Sequence, residues 1–118
     1  MAKFRFEDLH IWQDACRVGD ELDSIADGLE SAGKRRYAEQ LRAAALSVSN
    51  NIADGSGSVS SKEFKNFLNI ARRSVAENAN IVHFLDRKSV LSRSDAQRLL
   101  QELDALSAKI LSFSRSIS

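Results

Sequence analysis

Proline is absent from the 118 residues, and glycine occurs only five times. Chains built from strands and tight turns rely on both, so their scarcity favours a few long helices that nothing interrupts. Cysteine is almost missing as well. The single Cys16 excludes an intramolecular disulfide framework and fits a reducing compartment, so the expected location is cytoplasmic. No apolar run is long enough to span a bilayer, so no membrane partner is expected. The opening stretch reaches Glu7 and Asp8 before any apolar segment forms, so no signal peptide is expected either. Charge of one sign is also lacking: 17 Lys and Arg against 16 Asp and Glu leave a net charge of +1, which selects no class of partner. At this length the chain is expected to be one domain, residues 1–118, with a single core.

What is present is a helical period carried almost from end to end. A first helix is expected from an Asp8 N-cap to Gly28 or Leu29, burying Leu9, Trp12, Cys16, Gly19, Leu22, Ile25, Ala26 and Leu29. Ile11 and Val18 lie off that face. A second helix should run from Lys34 or Arg35 to Ala53 on a stripe of Tyr37, Leu41, Ala44, Ala45, Val48 and Ile52. Asp54-Gly55-Ser56-Gly57-Ser58 should then stop it. Ser60-Ser61-Lys62-Glu63 reads as a capping box opening a third helix, Ser61 to about Lys88. A fourth follows an N-cap at Ser94, with Ala96, Leu99, Leu103, Leu106, Ile110, Phe113 and Ile117 at heptad spacing. Short connections between four such helices predict an all-α fold, an antiparallel up-down-up-down four-helix bundle.

The third helix carries two apolar stripes where a bundle needs one. Beside Phe64, Leu68, Ala71, Val75, Asn78, Val82 and Leu85 runs a second row containing Phe67, Ile70, Ile81 and Phe84. A larger intramolecular core could absorb that row, but self-association is favoured, and the row is then the expected interface of a homo-oligomer. Asn51 falls at the core edge, where a buried amide must find partners or cost about 1–3 kcal/mol. A fixed interhelical register is its expected role.

Chemistry is harder to find. A di-iron bundle needs two Glu-x-x-His pairs, and only Glu7-Asp8-Leu9-His10 has the spacing. His10 and His83 have no hydroxyl, thiol or carboxylate in a recognisable constellation with them. The glycines after Asp54 follow no strand and precede no Lys-Ser or Lys-Thr. A non-enzyme with no catalytic residues, no metal and no cofactor is the expectation.

Charge is uneven along the chain. Residues 1–30 hold eight acids against three bases, and residues 31–93 eleven bases against five acids. The bases Lys34, Arg35, Arg36, Arg42, Lys62, Lys65, Arg72 and Arg73 are expected to gather on the middle hairpin, with Arg72 and Arg73 beside Arg42. There they would track a phosphate backbone of RNA or DNA. No aromatic is interleaved among them to stack on bases. The alternative is a structural scaffold or protein adaptor, with the basic hairpin meeting the acidic first helix of a neighbouring subunit.

Four stretches carry a resemblance: Phe6-Glu7-Asp8-Leu9-x-Ile11-Trp12-Gln13-x-Ala15, Gln40-Leu41-Arg42-Ala43-Ala44, Ser47-Val48-x-x-Asn51-Ile52-Ala53-Asp54-Gly55-x-Gly57, and Glu63-Phe64-x-x-Phe67-Leu68-x-Ile70-Ala71-x-x-Ser74-x-x-Glu77. Together they resemble the four-helix bundle family named for the protein encoded in intervening sequences of bacterial 23S ribosomal RNA genes, whose members are sometimes called ribosomal proteins. The resemblance implies a ring-like pentamer. It also implies kinship with the accessory variability protein of diversity-generating retroelements, which binds nucleic acid and partners a reverse transcriptase. Carried over, Asn51, Asp54, Ser74 and Glu77 would be a structural polar set between the second and third helices. Three positions depart from the pattern. Asp54 stands where glutamate is more usual, Ser58 follows Gly57 where a base is common, and Arg73 replaces a glycine before Ser74.

Overall fold

The computed structural model describes residues 3–118. A 3-10 turn, Arg5–Asp8, leads into four helices: α1 His10–Ser31, α2 Arg35–Ser56, α3 Ser61–Arg87 and α4 Arg93–Ser116. They run alternately up and down as an antiparallel bundle about 44 Å long. Helix α2 packs between α1 and α3, and α3 between α2 and α4. Contact is sparsest where α4 closes back on α1. No helix among the described residues is long and apolar enough to cross a membrane.

Contacts along the hairpin set its register. Tyr37 meets Phe84, Asn78 Nδ2 donates to the Leu41 carbonyl, and the Ser47 and Ser74 hydroxyls are 2.8 Å apart. At the turn, Gly55 lies against Phe64 and Phe67. The sparse α1–α4 seam is laced by charge in the same antiparallel order. Lys109 meets Asp14 at 3.0 Å, Arg17 meets Glu102 at 3.2 Å, and Arg98 meets Glu21 at 2.5 Å.

Several boundaries move from their expected places. Asp8 does not cap α1: the Glu7 carboxylate accepts from the Phe4 amide at 2.8 Å and closes the earlier 3-10 turn, so α1 starts beyond Leu9. Ile11 and Val18 enter the core with Ala15, while Trp12, Cys16 and Gly19 are only half-buried. Trp12 is covered from outside by Phe6, edge-on at 4.9 Å, and so does not need the interior. Gly33, at φ +82°, makes the left-handed step out of α1, with the Lys34 amide reaching back to the Leu29 carbonyl at 2.8 Å.

The Asp54–Ser58 stretch does not stop α2 at Ala53. The helix continues through Asp54, Gly55 and Ser56, because Gly55 is buried at a close crossing with α3 rather than used for turn geometry. Ser60 caps α3, its hydroxyl accepting from the Glu63 amide at 3.1 Å. The α4 cap is Ser92, not Ser94, and accepts from the Asp95 amide at 3.1 Å. Within α4 the heptad stripe is buried at Ala96, Leu99, Leu103, Leu106 and Ile110, while Phe113 is only half-buried and Ile117 lies past the helix end.

Gly19 is the opposite of Gly55. It sits inside α1 with nothing within 4 Å of the place a Cβ would occupy. Gly19→Ala is therefore expected to stabilise the protein by about 0.5–1 kcal/mol through helix propensity and a less flexible unfolded chain. A higher urea midpoint with an unchanged slope would show it. A lower midpoint would mean that the space beside Gly19 is needed by the fold.

Candidate nucleic-acid interface

The eight bases of the expected patch do not form one surface. Arg42 is turned inward against α1. Its Nε donates to Asp23 Oδ1 at 3.1 Å, its Nη1 to Glu30 Oε1 at 3.3 Å, and its Nη2 to Asp27. The hydrogen bond to Asp27, joined by Asp23 and Glu30, holds its pKa above the usual guanidinium value. Its charge is met within the chain. Arg72 instead reaches α4, donating from Nε to Ser107 Oγ at 3.4 Å. Arg42 and Arg72 thus serve different seams, and Arg72 and Arg73 do not come back beside Arg42. The residue facing Leu41 is Asn78.

Arg73 lies exposed midway along α3, and the other five bases divide between the two ends. Lys34, Arg35 and Arg36 open α2 beside the end of α3, as the Tyr37–Phe84 contact fixes. Lys62 and Lys65 lie in the first turns of α3, beside the far end of α2. The length of α2 separates the two groups, roughly 30 Å at 1.5 Å per residue. One nucleic-acid phosphate run at a single end cannot use both.

The α2-start end gains two bases that lie outside the expected patch, Arg87 and Lys88, which close α3. Lys34, Arg35, Arg36, Arg87 and Lys88 are in no ion pair among the described residues. Nearby Asp86 is engaged by Arg93 at 3.4 Å, and Glu30 by Arg42. Three of the five stand at the positive end of the α2 dipole, whose first turn holds no acid and whose Lys34 cap makes no side-chain hydrogen bond. The end is a concentrated positive surface.

Aromatic rings are interleaved with these bases after all. Tyr37 and Phe84 stack at a tilt with centroids 5.7 Å apart, and Lys88 Nζ stands 5.0 Å from the Phe84 centroid. Phe84 is 39% exposed. Linear order hides this because Tyr37 and Phe84 are far apart in the chain. The signal was in the hairpin: folding the second and third helices antiparallel about the turn puts Tyr37 opposite Phe84.

The polar set between α2 and α3 is smaller than the resemblance implies. Asn51 Nδ2 donates to Ser47 Oγ at 3.0 Å, Ser47 bonds Ser74 Oγ, and Ser74 Oγ donates to the Ile70 carbonyl at 3.2 Å. Asn51 also donates to the Ser47 carbonyl at 2.7 Å, so it braces its own helix rather than pinning another. Asp54 and Glu77 are exposed on the surface and outside this set. The buried interhelical amide is Asn78.

Of the apolar row on α3, Ile70 is 42% exposed and Phe84, about four turns further on, is also exposed, while Phe67 and Ile81 are half-buried. Leu46 on α2, 60% exposed over an open groove of about 410 Å³ between α1 and α2, was missed because it lies outside the core stripe. Cys16 lines that groove, its thiol pushed up by burial and then by Asp20. His83 shares a second open groove, between α3 and α4, with Asp104 and Ser107, but no hydrogen bond joins it to either among the described residues. Among the described residues no three or more His, Cys, Asp or Glu side chains gather in a cluster.

The family model described as 23S rRNA-intervening sequence protein matches residues 7–112, from the 3-10 turn into the last turns of α4. No curated protein matches the chain.

Proposed function

The chain belongs to the 23S rRNA-intervening sequence protein family, and from that premise we propose that it acts by binding rather than catalysis, as a self-associating bundle that holds RNA or DNA backbones. The observation that carries the reading is the end of the bundle where Lys34, Arg35, Arg36, Arg87 and Lys88 stand without carboxylate partners among the described residues. Phosphates contacted there release condensed counterions, and affinity falls with a slope of about 0.7–0.9 in log–log salt plots for each contact. Contacts of this kind hold a backbone without reading bases.

Self-association is supported by apolar surface left uncovered, chiefly Ile70 and Leu46 with half-buried Phe67 and Ile81. A ring of five copies, the assembly that the family resemblance implies, repeats the basic end and multiplies weak contacts into a usable affinity. The scaffold reading, in which acidic α1 meets a neighbour's basic hairpin, has less support. Asp14, Glu21, Asp23, Asp27 and Glu30 are already engaged by Arg42, Arg98 and Lys109 of the same chain.

The test reverses charge where the fold does not need it. The double variant Lys34→Glu, Arg36→Glu is expected to bind structured RNA and duplex DNA at least about tenfold more weakly at roughly 50 mM salt. It should also show a shallower salt slope, with the thermal midpoint no lower than that of wild type, since acids suit the positive end of the α2 dipole. A wild-type protein that shifts neither nucleic acid at low salt ends the proposal. Sedimentation as a monomer at tens of micromolar, with Ile70→Asp behaving identically, ends its self-association half.

A further inference from the structure

Resting on the reading of the α2-start end as a polyanion surface, we propose that its ligand is a single-stranded polynucleotide, with one unpaired base stacked on the Tyr37–Phe84 pair and flanking phosphates held by Lys34, Arg36, Arg87 and Lys88. The argument begins with the ring. Phe84 is a large apolar side chain left 39% exposed inside the most cationic part of the molecule. Tyr37, packed against the core, contacts it at a tilt with 5.7 Å between centroids. A ring braced in this way is a platform fixed before any ligand arrives, so little ordering cost remains at binding.

The cations sit where a strand crossing that platform would need them. Lys88 follows Phe84 by one helical turn, and its ammonium already lies 5.0 Å from the ring centroid. Arg87 is the residue before it. Arg36 adjoins Tyr37, and Lys34 precedes Tyr37 by one turn. The long lysine stem lets the Lys88 ammonium leave the ring face for a phosphate, exchanging a cation–π contact for a charge-assisted one.

Duplexes and single strands differ in what they can use here. A double helix offers phosphates, but its base faces are buried in its own stack, so it gains nothing from the ring. An unpaired base has a π-face to offer, and stacking on one aromatic is worth roughly five- to a hundredfold in affinity. The platform accepts every base, so it favours single strands without selecting sequence.

The experiment measures binding of labelled RNA and DNA oligonucleotides of about 12 nucleotides, each single-stranded and as its duplex, by fluorescence anisotropy. Wild type is expected to prefer the single strands severalfold or more. Phe84→Leu keeps an apolar side chain and is expected to lose that preference, leaving duplex affinity and salt slope unchanged. Phe84→Trp is expected to enlarge it. Lys88→Gln should weaken both forms. Equal affinity for RNA and DNA strands assigns the recognition to base face and phosphate, whereas a gap between them adds a contact to the ribose; both are compatible with the stacked base. Equal wild-type affinity for strands and duplexes, or a preference untouched by Phe84→Leu, overturns the inference and leaves the polyanion surface standing. A Phe84→Leu protein whose sedimentation changes while its preference does not makes the ring a subunit contact instead. Failure of wild type to bind any of the four ends both readings.

Discussion

Gly55→Ala is expected to destabilise the protein by about 1–3 kcal/mol, although the same exchange inside an ordinary helix stabilises by about 1 kcal/mol. A Cβ at Gly55 would lie 2.8 Å from Phe64 Cδ1 and 2.8 Å from Phe67 Cβ. The first contact could in principle be relieved by a ring rotation, but Phe64 is buried and holds an edge contact with Phe113 at 5.7 Å. The second cannot, because a Cβ moves only with its backbone. Helix α3 would have to withdraw from α2 at the turn, and the strain would reach the Ser47–Ser74 bond along the same seam. Chemical denaturation is the measurement, with a lower midpoint and an unchanged slope expected. Adding Phe64→Leu should restore little, since the Phe67 clash remains. A Gly55→Ala protein as stable as wild type would mean that the two helices do not approach so closely.

That glycine also shows where the sequence could be read and where it could not. The helices were legible because their apolar residues recur with an unbroken helical period, and in α4 the heptad stripe became the core from Ala96 to Ile110, while Phe113 and Ile117 stay half-buried at its end. The end of α2 was misread because glycine has two uses. It can release the backbone into unusual φ, or remove a side chain so that another helix can close in, and Asp54-Gly55-Ser56 does not say which. The first turns of α1 failed for a related reason. Two stripes about one residue apart compete there, and the choice depends on Phe6, outside the helix, covering Trp12.

The candidate site was legible in composition but not in position. Eleven bases between residues 31 and 93 mark a basic hairpin, yet spacing along one helix cannot tell which bases a neighbour will neutralise. Arg42 is taken by Asp23, Asp27 and Glu30 because α1 returns alongside α2, a tertiary event. The separation of Lys34–Arg36 from Lys62 and Lys65 was available from antiparallel pairing alone. In a hairpin the numbers of facing residues add to a nearly constant total, which sends the two ends of each arm to opposite ends of the bundle. The same rule pairs Tyr37 with Phe84, the contact that turns a patch of charge into a surface with a stacking platform.

Asn78→Asp is expected to cost up to about 4 kcal/mol at neutral pH and much less in acid. Asn78 is 0% exposed. Its Nδ2 donates to the Leu41 carbonyl at 3.2 Å, while its Oδ1 has no partner among the described residues. It lines a cavity of about 10 Å³ with Val18, Leu22, Val48, Leu103 and Leu106, a space at the lower limit for one water whose lining among the described residues includes no basic side chain. A carboxylate there loses its hydration and gains no counter-charge, so its folded-state pKa rises above the unfolded value near 3.9. The folded state then binds the proton more tightly than the unfolded chain. Stability relative to wild type is therefore retained below about pH 4 and lost at about 1.4 kcal/mol per unit as pH climbs toward the folded pKa. Protonated, the group can still donate to the Leu41 carbonyl. Asn78→Leu supplies the contrast, because it removes the unpaired oxygen without adding charge, and its stability difference from wild type should not vary with pH. Denaturation of the three proteins at about pH 4.5 and about pH 7.5 decides the matter. An Asn78→Asp deficit of the same size at both values would mean that solvent or a cation reaches the centre of the bundle, and that the amide is not holding α2 to α3 in a dry interior.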